Sequence, residues 1–138
     1  MISASQFEDY AEEFSAATDK SDVFDRYYSP DATFDHPYKG IFHGKAEIVG
    51  FWNSGEGAGH AGVLETLQLK NFITSDDRIA AEFEIEWRCT EDTIYLGPRK
   101  KGEVFRGRCA AFYWCVNGKF SHVTVYLNLI DKADSKSE

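Results

Sequence analysis

Four side chains in this sequence can hold or move a proton within an apolar setting: the imidazole of His36, the phenols of Tyr10 and Tyr113, and the carboxylate of Glu65. His36 closes the run Tyr27-Tyr28-Ser29-Pro30-Asp31-Ala32-Thr33-Phe34-Asp35-His36, followed by Pro37, in which a helix end, a proline turn and a strand succeed one another directly. Histidine titrates near neutral pH, so a half-buried imidazole suits general acid–base work; the same ring also serves to tie a strand end to a backbone carbonyl. Tyr10 lies on an apolar helical stripe, where a phenol either stabilises an oxyanion or simply packs in the core. Glu65 shares the parity of Leu67, which turns it inward unless it lies at the exposed start of its strand. Asp35 points to the opposite face from His36, and His43, before Gly44, caps or packs at a helix start. His60 ends the segment 54–62, which has four glycines in nine residues. That loop is either a flap able to carry His60 over a pocket mouth or a plain connection.

Several kinds of chemistry are absent from the pattern. No His, Cys or Asp spacing matches a zinc or iron site, and no serine or cysteine motif suggests a covalent nucleophile, so neither a metal nor a cofactor is expected. The glycine-rich loop leads from a helix into a strand, the reverse of a nucleotide fingerprint, and carries no phosphate-binding lysine. A net charge of −8 opposes nucleic acid as a partner. The basic run Arg99-Lys100-Lys101, with Arg106 and Arg108, either meets an anionic substrate or is a solvated face. Cys89, Cys109 and Cys115 leave one thiol unmatched in any disulfide scheme and point to a reducing compartment. The first residues lack a basic segment followed by an apolar one, and no apolar run reaches the roughly 18 residues of a membrane span. A cytoplasmic protein is expected.

The elements that must position these groups are legible from periodicity. Phe7, Tyr10, Ala11 and Phe14 recur at helical spacing within Ser5 to Ala17, with Glu8, Asp9, Glu12 and Glu13 away from them. A short second helix, capped by Ser21 or Asp22, runs through Tyr28 to the stop at Pro30, and a third spans Gly44 to Asn53. From Gly62 the period becomes two. Leu67, Leu69 and Ile73 alternate in one strand, Phe83, Ile85 and Trp87 in the next, and Asp76-Asp77 turns between them. A strand over Val104 to Val116 reaches Asn117-Gly118, a strong hairpin signal, and returns as Phe120 to Leu129. These elements predict one α+β domain over residues 1–130: three N-terminal helices packed against a curved antiparallel sheet. Residues 131–138 are polar enough to form a disordered tail.

The Tyr27–Pro37 run, Phe42-His43-Gly44-Lys45-Ala46-Glu47 and the hairpin Val116-Asn117-Gly118-Lys119-Phe120 together resemble the SnoaL-like branch of the nuclear transport factor 2-like superfamily, over roughly residues 5–130. That branch includes ketosteroid isomerases and polyketide cyclases. The resemblance implies a cone-shaped sheet enclosing a pocket. In the ketosteroid isomerases the residue before the strand proline moves a proton between carbons, and a helix-one tyrosine donates to the dienolate oxygen. Those places match His36 as base and Tyr10 as donor. The acid/base positions of the cyclases and of the limonene epoxide hydrolases fall on Val125, Ala111, Phe83 and Ile85, all apolar, which removes epoxide hydrolysis. The expected ligand is an apolar oxygenated molecule, a polyketide, terpenoid or steroid-like ketone. Its expected contacts are Phe14, Phe34, Phe51, Trp52, His60, Phe83, Ile85, Trp87, Tyr113 and Val125. The alternative is a non-catalytic domain that binds a hydrophobic ligand or only dimerises.

One parity is undecided by sequence. Ala110, Phe112, Trp114 and Val116 share one face of their strand and Cys109, Ala111, Tyr113 and Cys115 the other, and both are apolar. The surplus on the outer face leads us to expect a homodimer through it.

Overall fold

The apolar stripe of the first helix does form, and it decides where the sheet packs. A computed structural model describes residues 2–17, 19–53 and 62–130. Helix α1 (Ala4–Ala16) starts at a Ser3 and Gln6 capping box and buries Phe7, Tyr10, Ala11 and Phe14. Helix α2 (Ser21–Tyr27) buries Val23 and Phe24. It ends one residue earlier than predicted, because Tyr28 is already extended. Strand β1 (Tyr28–His36) therefore contains Pro30, near which its pairing shifts register. Strand β2 (Gly40–His43) folds back on it, and helix α3 (Lys45–Asn53) buries Ile48, Phe51 and Trp52.

Strands β3 (Val63–Ser75), β4 (Arg78–Cys89), β5 (Val104–Val116) and β6 (Lys119–Ile130) form the antiparallel meander predicted from the alternation. The full sheet is six-stranded, in the order β2-β1-β6-β5-β4-β3, curved and not closed into a barrel. It is mixed: β1 pairs with β6 in parallel. Strand β2 had no sequence signal, since four residues are too few to show a period.

The parity of β5 resolves here. Cys109, Ala111, Tyr113 and Cys115 face the helices and are buried, whereas Phe112 is 43% and Val116 54% exposed on the outer face. Phe7 is fully buried at the centre of an aromatic cluster, its ring 5.1–6.1 Å from those of Tyr10, Phe72, Phe83, Tyr113 and Phe120. At the tip of the β5–β6 hairpin Asn117 and Gly118 both take positive φ, 53° and 77°, as a two-residue primed turn requires. Among the described residues no helix is long and apolar enough to cross a membrane. His60 and the rest of the expected flap at 54–61, and the tail at 131–138, lie outside the described residues.

Candidate functional site

The mouth of the curved sheet is narrowed by α1, α3 and the loop between β4 and β5, leaving an interior cavity that admits the centre of a water-sized sphere over about 50 Å³. A water needs roughly 10–15 Å³ on this measure, so the space suits a few waters or a small molecule. Its apolar walls are Phe14, Phe34, Trp52, Leu67, Phe83, Ile85, Trp87, Ala111, Val125 and Leu127; its polar groups are Tyr10, His36, Glu65, Tyr95, Cys109 and Tyr113. Of the residues expected from sequence to contact a ligand, Phe51 does not line this space. Its ring lies behind His36, 5.3 Å between centroids, and supports the imidazole from outside.

Three phenols gather at the α1 side. The Tyr10 and Tyr28 hydroxyls are 2.7 Å apart and buried, and Tyr113 approaches Tyr10 from β5. Burial is the main reason that the pKa values of all three lie well above the ordinary phenol value, and the Glu65 charge adds to the rise for Tyr10 and Tyr113. They are therefore neutral O–H donors at physiological pH. Tyr10 and Tyr113 line the cavity, and in such an enclosed setting phenol donors stabilise negative charge on a ligand oxygen better than they would in solvent.

His36 ends β1, only 4% exposed. Pro37 carries no N–H, so the first backbone donor past it is that of Tyr38, which turns back and donates to His36 Nδ1 at 3.1 Å. With Nδ1 accepting, the neutral ring carries its proton on Nε2, and this atom lies 3.4 Å from the Tyr95 hydroxyl. Tyr95 comes from the β4–β5 loop and is 2% exposed. It was missed in the sequence because the loop Thr90 to Gly102 is polar overall; the apolar triplet Ile94-Tyr95-Leu96 within it was the available signal.

Glu65 takes the inward one of its two expected orientations: it is 6% exposed, not at an exposed strand start, and directly opposite Trp87 in the β3–β4 pairing. Opposed residues of an antiparallel pair share a face, and the Trp87 indole Nε1–H donates to Glu65 Oε1 at 2.7 Å. Glu65 and Trp52 also line a neighbouring recess of about 220 Å³, with Ser15, Lys20 and Thr90. These two side chains form the partition between the recess and the inner cavity. Lys20 is itself buried, its ammonium donating to the carbonyls of Phe14 and Ala17 at the end of α1. Among the described residues no group of three His, Cys, Asp or Glu could hold a metal ion.

This cone, closed by three helices and lined as described, agrees with a match of residues 7–123 to the family model described as SnoaL-like domain. The chain belongs to that SnoaL-like family. No curated protein sequence matches it. Among solved structures, this SnoaL-like chain is similar to a nuclear transport factor 2-like protein from Anabaena variabilis, with 19% identity over 91% of this chain and 86% of that one and a TM-score of 0.64. A proposed SnoaL-like polyketide cyclase from Jannaschia sp. CCS1 matches at 13% identity over 87% and 86%, TM-score 0.65. An epoxide hydrolase of LEH-like type from M. tuberculosis matches at 10% identity over 87% and 80%, TM-score 0.62. At these identities the likeness establishes a shared fold alone.

Proposed function

We propose that this SnoaL-like domain is a cofactor-independent enzyme that binds a small, apolar, oxygenated molecule in the cone and moves a proton on it, as an isomerase, dehydratase or cyclase. The observation that carries the reading is the meeting of a buried imidazole N–H and a buried, neutral phenol cluster on one apolar cavity. Such a site has little to offer a hydrocarbon, but it suits a carbonyl whose oxygen gains charge as a neighbouring carbon loses a proton. The tautomer that Tyr38 imposes on His36 favours donation through Nε2 rather than the role of base. Tyr10 and His36 then act together on the substrate oxygen. The narrowness of the cavity favours the small end of the polyketide, terpenoid and steroid-like range, unless Trp52 swings aside.

A second reading, a hydrophobic-ligand binder without turnover, draws on the apolar Phe83, Ile85, Ala111 and Val125 in the same walls. Conversion of 3-cyclohexenone to its conjugated isomer, followed by absorbance, separates the two. Turnover lowered about 10²-fold or more in Tyr10→Phe and His36→Ala supports the enzyme. Wild-type affinity for the ketone without turnover supports the binder and sinks our reading.

We also place the protein in the cytoplasm, because its three cysteines are buried free thiols that suit a reducing compartment. A homodimer through the outer sheet face is the proposed assembly. It is supported by exposed Phe112, Val116 and Tyr126, the Phe112 and Tyr126 rings lying 6.1 Å apart.

A further inference from the structure

We infer that Trp52 determines the specificity of this cone: its indole closes the inner cavity off from the outer recess and so holds the ligand to a single ring. The inference rests on the cone being a ligand site, as read above, and adds the size class of the ligand; it holds with or without turnover.

Two spaces meet at this side chain. The inner cavity offers about 50 Å³ and the recess about 220 Å³ on the same measure. Among the described residues, only Trp52 and Glu65 line both. Glu65 accepts the Trp87 indole N–H, so its removal would disturb the wall behind it as well as open the partition. Trp52 is the larger of the two and can be shortened without that loss.

The indole is held in place by other rings. It meets Phe14 at 5.1 Å between centroids and 89° between planes, Phe34 at 5.6 Å and 86°, and Phe51 at 4.9 Å and 70°. Edge-to-face contacts fix orientation as well as position, because ring edges carry partial positive charge and ring faces partial negative charge. The backbone is anchored by the next residue. Asn53 ends α3, its side-chain carbonyl accepting from the Lys20 N–H at 3.0 Å and its amide donating to Asp19 Oδ1 at 2.9 Å, which ties the helix end to the α1–α2 connection. Phe14 and Phe34 line the inner cavity themselves, so a displaced indole would press on its walls.

The size limit follows from this arrangement. The inner cavity takes one small ring, and a second fused ring needs space that the cavity lacks and the recess has. Forcing it in against a close-packed wall is penalised as any overpacking is. With the indole removed, the two spaces join and the second ring extends toward Ser15 and Thr90, which line the recess.

Titration of the isotope-labelled protein with 2-cyclohexenone and with 2-tetralone, followed through backbone amide NMR shifts, tests the assignment. Wild type should bind the one-ring ketone about 10-fold or more tightly than the two-ring ketone, with shifts at inner residues such as Ala111 and Val125. Trp52→Ala should reverse the preference, and 2-tetralone should then also shift the amides of Ser15 and Thr90. Trp52→Leu, which keeps more of the apolar packing, serves where Trp52→Ala does not fold. Equal affinity of wild type for the two ketones, or a folded Trp52 variant that still prefers the smaller one, overturns the inference and leaves the cone as a ligand site. If neither ketone shifts any amide in wild type or in Trp52→Leu, the ligand reading falls with it.

Discussion

At the scale of single residues, burial rather than proximity to charge sets the character of this site. Tyr10, Tyr28, Tyr95 and Tyr113 are each nearly inaccessible, and desolvation leads the causes of every one of their raised pKa values. This has a consequence at high pH. In the unfolded chain these phenols ionise near the ordinary value of 10.0, but in the folded chain they resist. The native state thus holds more protons above that pH, and stability falls with rising pH. The phenols' contribution is fully present below pH 10 and is lost as the pH climbs toward the raised folded values. Each adds about 1.4 kcal/mol per pH unit to the slope. The four buried phenols should therefore ionise together with unfolding, so phenolate absorbance and circular dichroism change in one step. Phenolate absorbance that completes its rise while the dichroism remains native contradicts this.

At the scale of elements, the β3–β4–β5 register does what no single residue could. Pairing Glu65 with Trp87 sets donor and acceptor on one face, and pairing Ile85 with Gly107 puts a glycine beneath the indole ring. Gly107→Ala should force Trp87 and Leu127 apart, costing about 1–3 kcal/mol of stability, with a shifted tryptophan emission. An unchanged thermal midpoint and spectrum would show that the ring yields freely and does not depend on the glycine. The helical stripe, the β4 alternation and the Asn117-Gly118 turn were all readable, because each is a local rule satisfied within a few residues. The inward face of β5 was not, since its two faces carry equally apolar side chains and only the helices distinguish them. The inward side of Glu65 was readable from its parity with Leu67, but its partner was not, because that depends on which residue of β4 lies across from it.

At the scale of the molecule, the sheet has two apolar faces with different fates. The inner one is covered by α1, α2 and α3. The outer one leaves Phe112 and Tyr126 in contact with each other, Tyr126 60% exposed, and holds Trp114 beside His122 and beneath Arg78. If a second copy covers this face, Phe112→Glu should shift sedimentation from dimer to monomer without loss of fold, since the substituted side chain faces away from the core. A wild-type protein that sediments as a monomer at every concentration tested removes the proposed assembly.

The sequence by itself determined the family and the order of the elements apart from the short β2, because periodicity, caps and turn residues act over short distances and the match at residues 7–123 spans nearly all of them. It also picked out His36 and Tyr10, whose chemical types stand out in an apolar chain. Tertiary structure alone decided that Nδ1 of His36 is occupied, that Tyr95 reaches in from a polar loop, and that Glu65 is buried against Trp87. Those facts depend on contacts between residues 22 and 59 positions apart or on a turn beyond a proline. Which side chains meet across such intervals is set by strand register and by the curvature of the sheet, and neither has a local signature.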